Sequence, residues 1–165
     1  MAAVTTLPAA FVANTVLTAA QQNDLRGAFR ILQVVQGTTS TQVTSSTTTY
    51  VTTGLTATIT PSSTSSKILC IVQQNGCGKE STNTYLLMRL YRGASSISQI
   101  EGYGAFTNTT AINYVGTMGT VYLDSPATVA ATTYTTYIAS GANSALVSVQ
   151  ANSGNSTMIL MEVSA

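Results

Sequence analysis

No histidine occurs in these 165 residues. That single absence removes imidazole general bases, Ser-His-Asp and Cys-His nucleophile pairs, and histidine metal ligands. Cysteine is almost as scarce: Cys70 and Cys77 alone fall short of the roughly four ligands of a structural zinc site. Charge is scarce too. Asp, Glu, Lys and Arg make up 7% of the chain, against about 25% in an ordinary soluble domain. The six cations are Arg26, Arg30, Lys67, Lys79, Arg89 and Arg92, spread among five carboxylates. They form no basic patch of the kind that neutralises phosphates, so no nucleic-acid partner is expected. The longest purely apolar run, Ile68 to Val72, is far below the ~20 residues that span a bilayer, so no membrane partner is expected either.

The remaining chemistry is thin. Gly76-Cys77-Gly78 and Gly102-Tyr103-Gly104 lack the third glycine and the following helix of a nucleotide loop. Glycoside hydrolysis needs two placed carboxylates. The candidates Glu80, Glu101, Asp124 and Glu162 show no pairing in sequence, and Asp124, before Ser125-Pro126, fits a turn role. Glu80 beside Lys79 reads as a solvated turn. No catalytic residue, cofactor or metal is expected, and the chain reads as non-enzymatic.

What takes the place of charge is Thr, Ser, Ala, Gly, Asn and Gln. Thr is β-branched and suits a pleated, half-buried surface, so a Thr-rich, charge-poor chain reads as sheet. A net charge of +1 gives little self-repulsion, which favours a subunit that docks into an assembly. The N-terminus has no Lys or Arg ahead of its apolar residues, unlike a secretory signal. Assembly in a cytoplasm is therefore expected, with both cysteines as thiols. Cys70 reads as a small core residue and Cys77 as part of a turn, and a hairpin joining them would place the two opposite each other.

Residues 1–16 show no period and read as an extended arm. Residues 18–30 predict a helix: Thr18 and Gln21 have the spacing of a capping box, and Leu25 and Phe29 share a face. From Arg30 onward the period switches to two. Strands are expected near 31–36, 41–46, 48–52, 55–60, 67–73, 83–92, 97–101, 110–117, 119–123, 132–139, 145–150 and 157–163. Gly54, Gln74-Asn75-Gly76, Arg92-Gly93 and Asp124-Ser125-Pro126 punctuate them, Gln74-Asn75-Gly76 as a hairpin signal. Ile68 to Val72 and Thr157 to Val163 are apolar on both faces, which places them centrally, between covering layers. Many short strands without alternating helices indicate a sandwich or barrel.

Several stretches together resemble a family of small tail-fibre-like or decoration virion proteins from tailed phages of aquatic bacteria. They are Ile31-Leu32-Gln33-Val34-Val35-Gln36, Thr53 to Leu69, Leu90-Tyr91-Arg92-Gly93, Tyr122-Leu123-Asp124-Ser125-Pro126 and Ile159-Leu160-Met161-Glu162-Val163. The segment from Val16 to Leu25 resembles the virion-attachment start of many phage fibre proteins. The resemblance implies a compact sandwich, homotrimeric, exposed on the particle.

The expected fold is thus all-β, an antiparallel β-sandwich, jelly-roll-like, over residues 31–165, with an N-terminal arm and short helix over residues 1–30 for virion attachment or subunit exchange. The expected role is a virion structural module, a head decoration or tail-fibre-like protein. Its partners would be copies of itself and other capsid or tail proteins. Leu17, Leu25 and Phe29 would anchor it, with Arg26 and Arg30 at the rim. The alternative is a carbohydrate-binding module on the tail that reads host surface glycan through Tyr103, Asn108 and Asn113.

Overall fold

A computed structural model describes residues 31–80 and 83–164. The expected helix over 18–30, and the anchoring residues Leu17, Leu25, Arg26, Phe29 and Arg30, lie outside the described residues.

Ten antiparallel strands form two sheets packed face to face: β1 (Ile31–Thr39), β2 (Val43–Ser45), β3 (Val51–Ile59), β4 (Lys67–Lys79), β5 (Leu86–Arg92), β6 (Ser95–Gly104), β7 (Asn113–Asp124), β8 (Thr132–Ser140), β9 (Val147–Val149) and β10 (Ser156–Val163). The larger sheet runs β1-β10-β4-β9-β2, and β7 pairs with the other edge of β4; the smaller runs β3-β8-β5-β6. The spine of the larger sheet is β4. Along one edge it pairs with β10 over Lys67 to Gln73 and then with β9 over Gly78 and Lys79. Along the other it pairs with β7 from Ile68 to Lys79. The two segments read as apolar on both faces, in β4 and β10, are indeed neighbours in the middle of this sheet.

Period-two burial builds the core. Leu55, Ala57 and Ile59 on β3 point inward, and Thr56 and Thr58 point out. They meet Ile68, Cys70 and Val72 of β4, Leu90 of β5, Tyr134 of β8, and Met158 and Leu160 of β10. A second cluster holds Cys77, Leu86, Met88, Ile138, Val147 and Val149. Between them, Thr136 donates to Gln74 Oε1 at 2.9 Å, and Gln74 Nε2 donates to Ser156 at 3.2 Å. Gln74 is fully buried, so these bonds offset the cost of taking its amide out of water. They also tie β4 of one sheet to β8 of the other.

Three expected breaks are not breaks. Gly54, expected to separate two strands, lies inside β3 at φ +78° where the register with β8 shifts. Gly76, expected in a hairpin, lies inside β4 at φ +61°, with the Ala151 backbone so close that a Cβ would stand 2.3 Å from its nitrogen. Both are bulges, where one left-handed residue bends a strand without ending it. The strands expected at 110–117 and 119–123 are one strand, β7, with Gly116 at φ +82° in its bulge. Arg92-Gly93 does make a tight β5–β6 hairpin. Because β4 runs on past Gly76, Cys70 and Cys77 lie seven residues apart on one strand, roughly 23 Å at the rise of extended chain. Both are buried free thiols.

Candidate functional site

The outward face of the larger sheet carries an apolar patch, bounded by Thr38, Thr157 and Gln73 at one end and Lys67 at the other. Cross-strand register sets Val34, Met161, Leu69 and Leu123 in one row, and Gln36, Ile159, Ile71 and Val121 in the next. Val121 is 68% exposed, Val34 57% and Leu123 56%. Ile31 and Val163 extend the patch at one end, where Lys67 gives its ammonium to the Ser125 hydroxyl at 2.6 Å. Neither central row contains a charge. Four strands across and about six residues along make a face roughly 20 Å by 20 Å, on the order of 400 Å². Apolar patches of this size on soluble chains are often functional.

The opposite face of the molecule differs. On the smaller sheet, Thr56 and Thr58 of β3 meet Thr135 and Thr133 of β8 through paired hydroxyls at 3.0 and 2.8 Å. Beside them Tyr91 packs against Tyr137, and the Arg89 guanidinium lies 4.4 Å over the Tyr50 ring. Hydroxyls and a stacked cation are compatible with water. The two outer surfaces are therefore chemically unlike.

The four described carboxylates are all engaged, and Asp124 and Glu162 are buried. Asp124, at the end of β7, receives Arg92 Nη1 on both oxygens, at 2.9 and 2.8 Å, and the Tyr134 hydroxyl at 2.7 Å. The expected turn role is replaced by an ion pair in which the carboxylate is buried and the guanidinium partly exposed. Glu162 is fully buried and accepts from Gln33 Nε2, from the Ser62 backbone N–H and from the Ser62 hydroxyl. Burial acts to raise its carboxyl. The hydrogen bonds from Gln33, Ser62 and Ser66 outweigh that and hold it down to about 2. Asp124 and Glu162 both pair with Ile68, from opposite sides, so two strand spacings, about 10 Å, separate their backbones. Ile68 stands between them, and the described residues enclose no pocket. Glu101 accepts the N–H groups of Gly102 and Tyr103, and Glu80 accepts from Tyr114 and Gln42. Glu80 is half-exposed and its hydrogen bonds lie at the surface, whereas Lys79 beside it ends β4 with no exposed surface. Among the described residues no three His, Cys, Asp or Glu side chains group as metal ligands.

Tyr103, Asn108 and Asn113, nominated from sequence, are brought together at one end of the sandwich. Residues 105–112 link β6 to β7 there. Tyr103 is exposed and stacked on Tyr85, with Phe106 beside it. Asn108 accepts from Asn83 Nδ2 at 3.2 Å. Asn113 is turned inward and donates to the Ala105 carbonyl at 3.0 Å, so it shapes the loop and is not itself displayed. Lys79 Nζ reaches the Thr107 and Thr109 carbonyls of the same loop. Sequence reading missed Lys79 and Phe106 here, and Val34 and Val121 on the apolar face. The alternation of Val121 and Leu123 with Thr120 and Tyr122 was a signal available for Val121.

Comparison with protein-family models gives no match for the chain. Comparison with curated proteins gives none either.

Proposed function

We propose that this chain is a non-enzymatic structural protein of a virus particle, an exposed head-decoration or tail-fibre-like module of a tailed phage that works as a homo-oligomer. One observation carries the assembly part of this reading: the two uncharged, largely apolar rows running across β1, β10, β4 and β7, set against a hydroxyl-rich surface on the other sheet. A face of that chemistry is costly in water and is stabilised when a matching apolar face covers it. A second copy supplies such a match, and closed symmetry lets every copy cover its own. Three copies about an axis is the arrangement proposed.

Area bears on the same point. A standard interface takes about 800 Å² from each partner, roughly twice this sheet face. Residues 1–30 join the described structure at Ile31, which is on the β1 margin of the face. With Leu17, Leu25 and Phe29, and with Arg26 and Arg30 at the rim, they would supply the remainder and the attachment to neighbouring capsid or tail proteins.

The strand order supports the virion part of the reading by analogy. Setting aside the three-residue strands β2 and β9, the sheets read β1-β10-β4-β7 and β3-β8-β5-β6. That is the order of a jelly roll, an architecture used by capsid and lectin domains among others. The resemblance of the sequence to phage virion proteins points the same way. The deciding experiment is deletion of residues 1–30 in a producing phage. The truncated chain should fold, because it keeps all ten strands of the described residues, yet it should be missing from purified particles. Full incorporation of the truncated chain contradicts the attachment role.

A further inference from the structure

The aromatic stack at the β6–β7 end is built like a platform. The Tyr85 and Tyr103 rings lie 4.1 Å apart at 18°. Beneath Tyr85 is Gly141: a Cβ there would stand 2.4 to 2.6 Å from three atoms of the Tyr85 ring, so the ring occupies the space of the missing side chain. The Gly141 N–H also donates to the Tyr85 carbonyl at 2.9 Å, which fixes the base of the stack. Tyr103 is the outermost layer and is 57% exposed. Phe106 stands beside it, ring centroids 4.8 Å apart and tilted by 56°. Together the two rings present an exposed apolar corner.

The backbone beneath the rings is held firmly. Glu101 Oε1 accepts the Gly102 and Tyr103 N–H groups at 2.8 and 2.9 Å. The buried Lys79 ammonium donates to the Thr107 and Thr109 carbonyls at 3.3 and 2.5 Å, and Asn113 holds the Ala105 carbonyl. Burying an ammonium is expensive and is tolerated only where acceptors surround it. Here two of its acceptors belong to the loop that carries Phe106 and Asn108. At the rim, Asn83 and Asn108 are exposed, and the bond between them uses only part of each amide's donor and acceptor capacity.

We infer that this corner binds a neutral, pyranose-containing glycan, with a sugar ring laid on Tyr103, flanked by Phe106, and its hydroxyls met by Asn83 and Asn108. An aromatic face is electron-rich, and the C–H bonds on one face of a pyranose are polarised by the ring's oxygens, so the two stack. The Asn amides both donate and accept, which suits hydroxyls. Among the described residues beside the loop, Glu101 accepts backbone N–H groups and the buried Lys79 ammonium donates to backbone carbonyls, so neither charge is presented outward to an acidic sugar. With no pocket, the ligand lies along an open surface. A single site would be weak, with a Kd on the order of 1 mM, and several copies on one assembly would strengthen attachment through multivalency. The inference stands on the loop geometry and does not depend on the assembly reading.

The test uses the full chain with maltohexaose, cellohexaose and chitohexaose as probes. Tyr and Phe ring resonances are followed by NMR during each titration. At least one probe is expected to shift the Tyr103 and Phe106 signals. Tyr103→Ala should weaken that binding about tenfold or more, the scale at which an anchoring ring contributes, and Tyr103→Phe should preserve it. Val121→Lys, on the sheet face, should bind as the parent does, whatever its effect on assembly. Ring signals that stay still with all three probes would overturn the inference. So would affinity unchanged in Tyr103→Ala, or lost equally in Tyr103→Phe.

Discussion

The Tyr134 hydroxyl donates to Asp124 Oδ2 at 2.7 Å across the interior of the sandwich. Tyr134 belongs to β8 of the smaller sheet and Asp124 closes β7 of the larger one. Arg92, at the end of β5, binds the same carboxylate from the smaller sheet. A single carboxylate thus holds the two layers together at this end. Burial, and then the carboxylate beside it, push the Tyr134 phenol well above its usual range, so it remains a donor at every physiological pH.

Asp124→Ala should therefore be costly. It leaves a fully buried phenol without its acceptor and a partly exposed guanidinium without its partner. Breaking such a contact costs about 3 kcal/mol. Urea unfolding should show that loss as a lower midpoint with an unchanged slope. Tyr134→Phe removes only the donor and should cost less, on the order of 1 kcal/mol.

The Glu162 carboxyl, held down to about 2 from 4.5, makes stability depend on pH in one window. Its folded pKa lies below its unfolded one, so the ionised group stabilises the fold fully above pH ~4.5. That contribution is lost as pH falls toward ~2. Thermal midpoints across that window should fall for the parent chain. The Glu162→Gln variant should start lower near neutral pH and vary less between those limits. Parallel curves for the two proteins would show that Gln33 and Ser62 do not stabilise the charged form.

Cys70 and Cys77 should be inert in the native state. Burial, with the Asp124 charge adding for Cys70, pushes both thiols up to about 12. The reactive species is the thiolate. A thiol reagent at pH 8 should label neither in the folded protein and both in denaturant. Rapid labelling of Cys77 in native protein would show that the second core cluster opens.

These residues also show what was legible in the sequence. Ile68 to Val72 and Thr157 to Val163 announced themselves as central strands because apolar residues on both faces leave few other places for a strand. The alternation from Leu55 to Thr60 likewise fixed which face of β3 is inward. Gly54 and Gly76 misled for a physical reason: a left-handed glycine serves a turn and a bulge equally well, and only the partner strand distinguishes them. Lys79 and Asp124 misled because charge normally marks surface. Their burial depends on the Thr107 and Thr109 carbonyls and on Arg92, which are distant in sequence. Tyr103, Asn108 and Asn113 were nominated as exposed loop residues, and they do share one end of the sandwich, although Asn113 supports the loop from within. The nomination of Leu17, Leu25, Arg26, Phe29 and Arg30 concerns residues outside the described structure.

The apolar sheet face is the claim on which the account rests. Sedimentation velocity of the full chain across the micromolar range tests it, with the double variant Val34→Lys/Val121→Lys beside it. Both positions are more than half exposed, so the variant should keep the parent's β-sheet circular dichroism. The parent should sediment as a trimer and the folded variant as a monomer. A parent that remains monomeric throughout, or a variant that assembles equally well, contradicts the account.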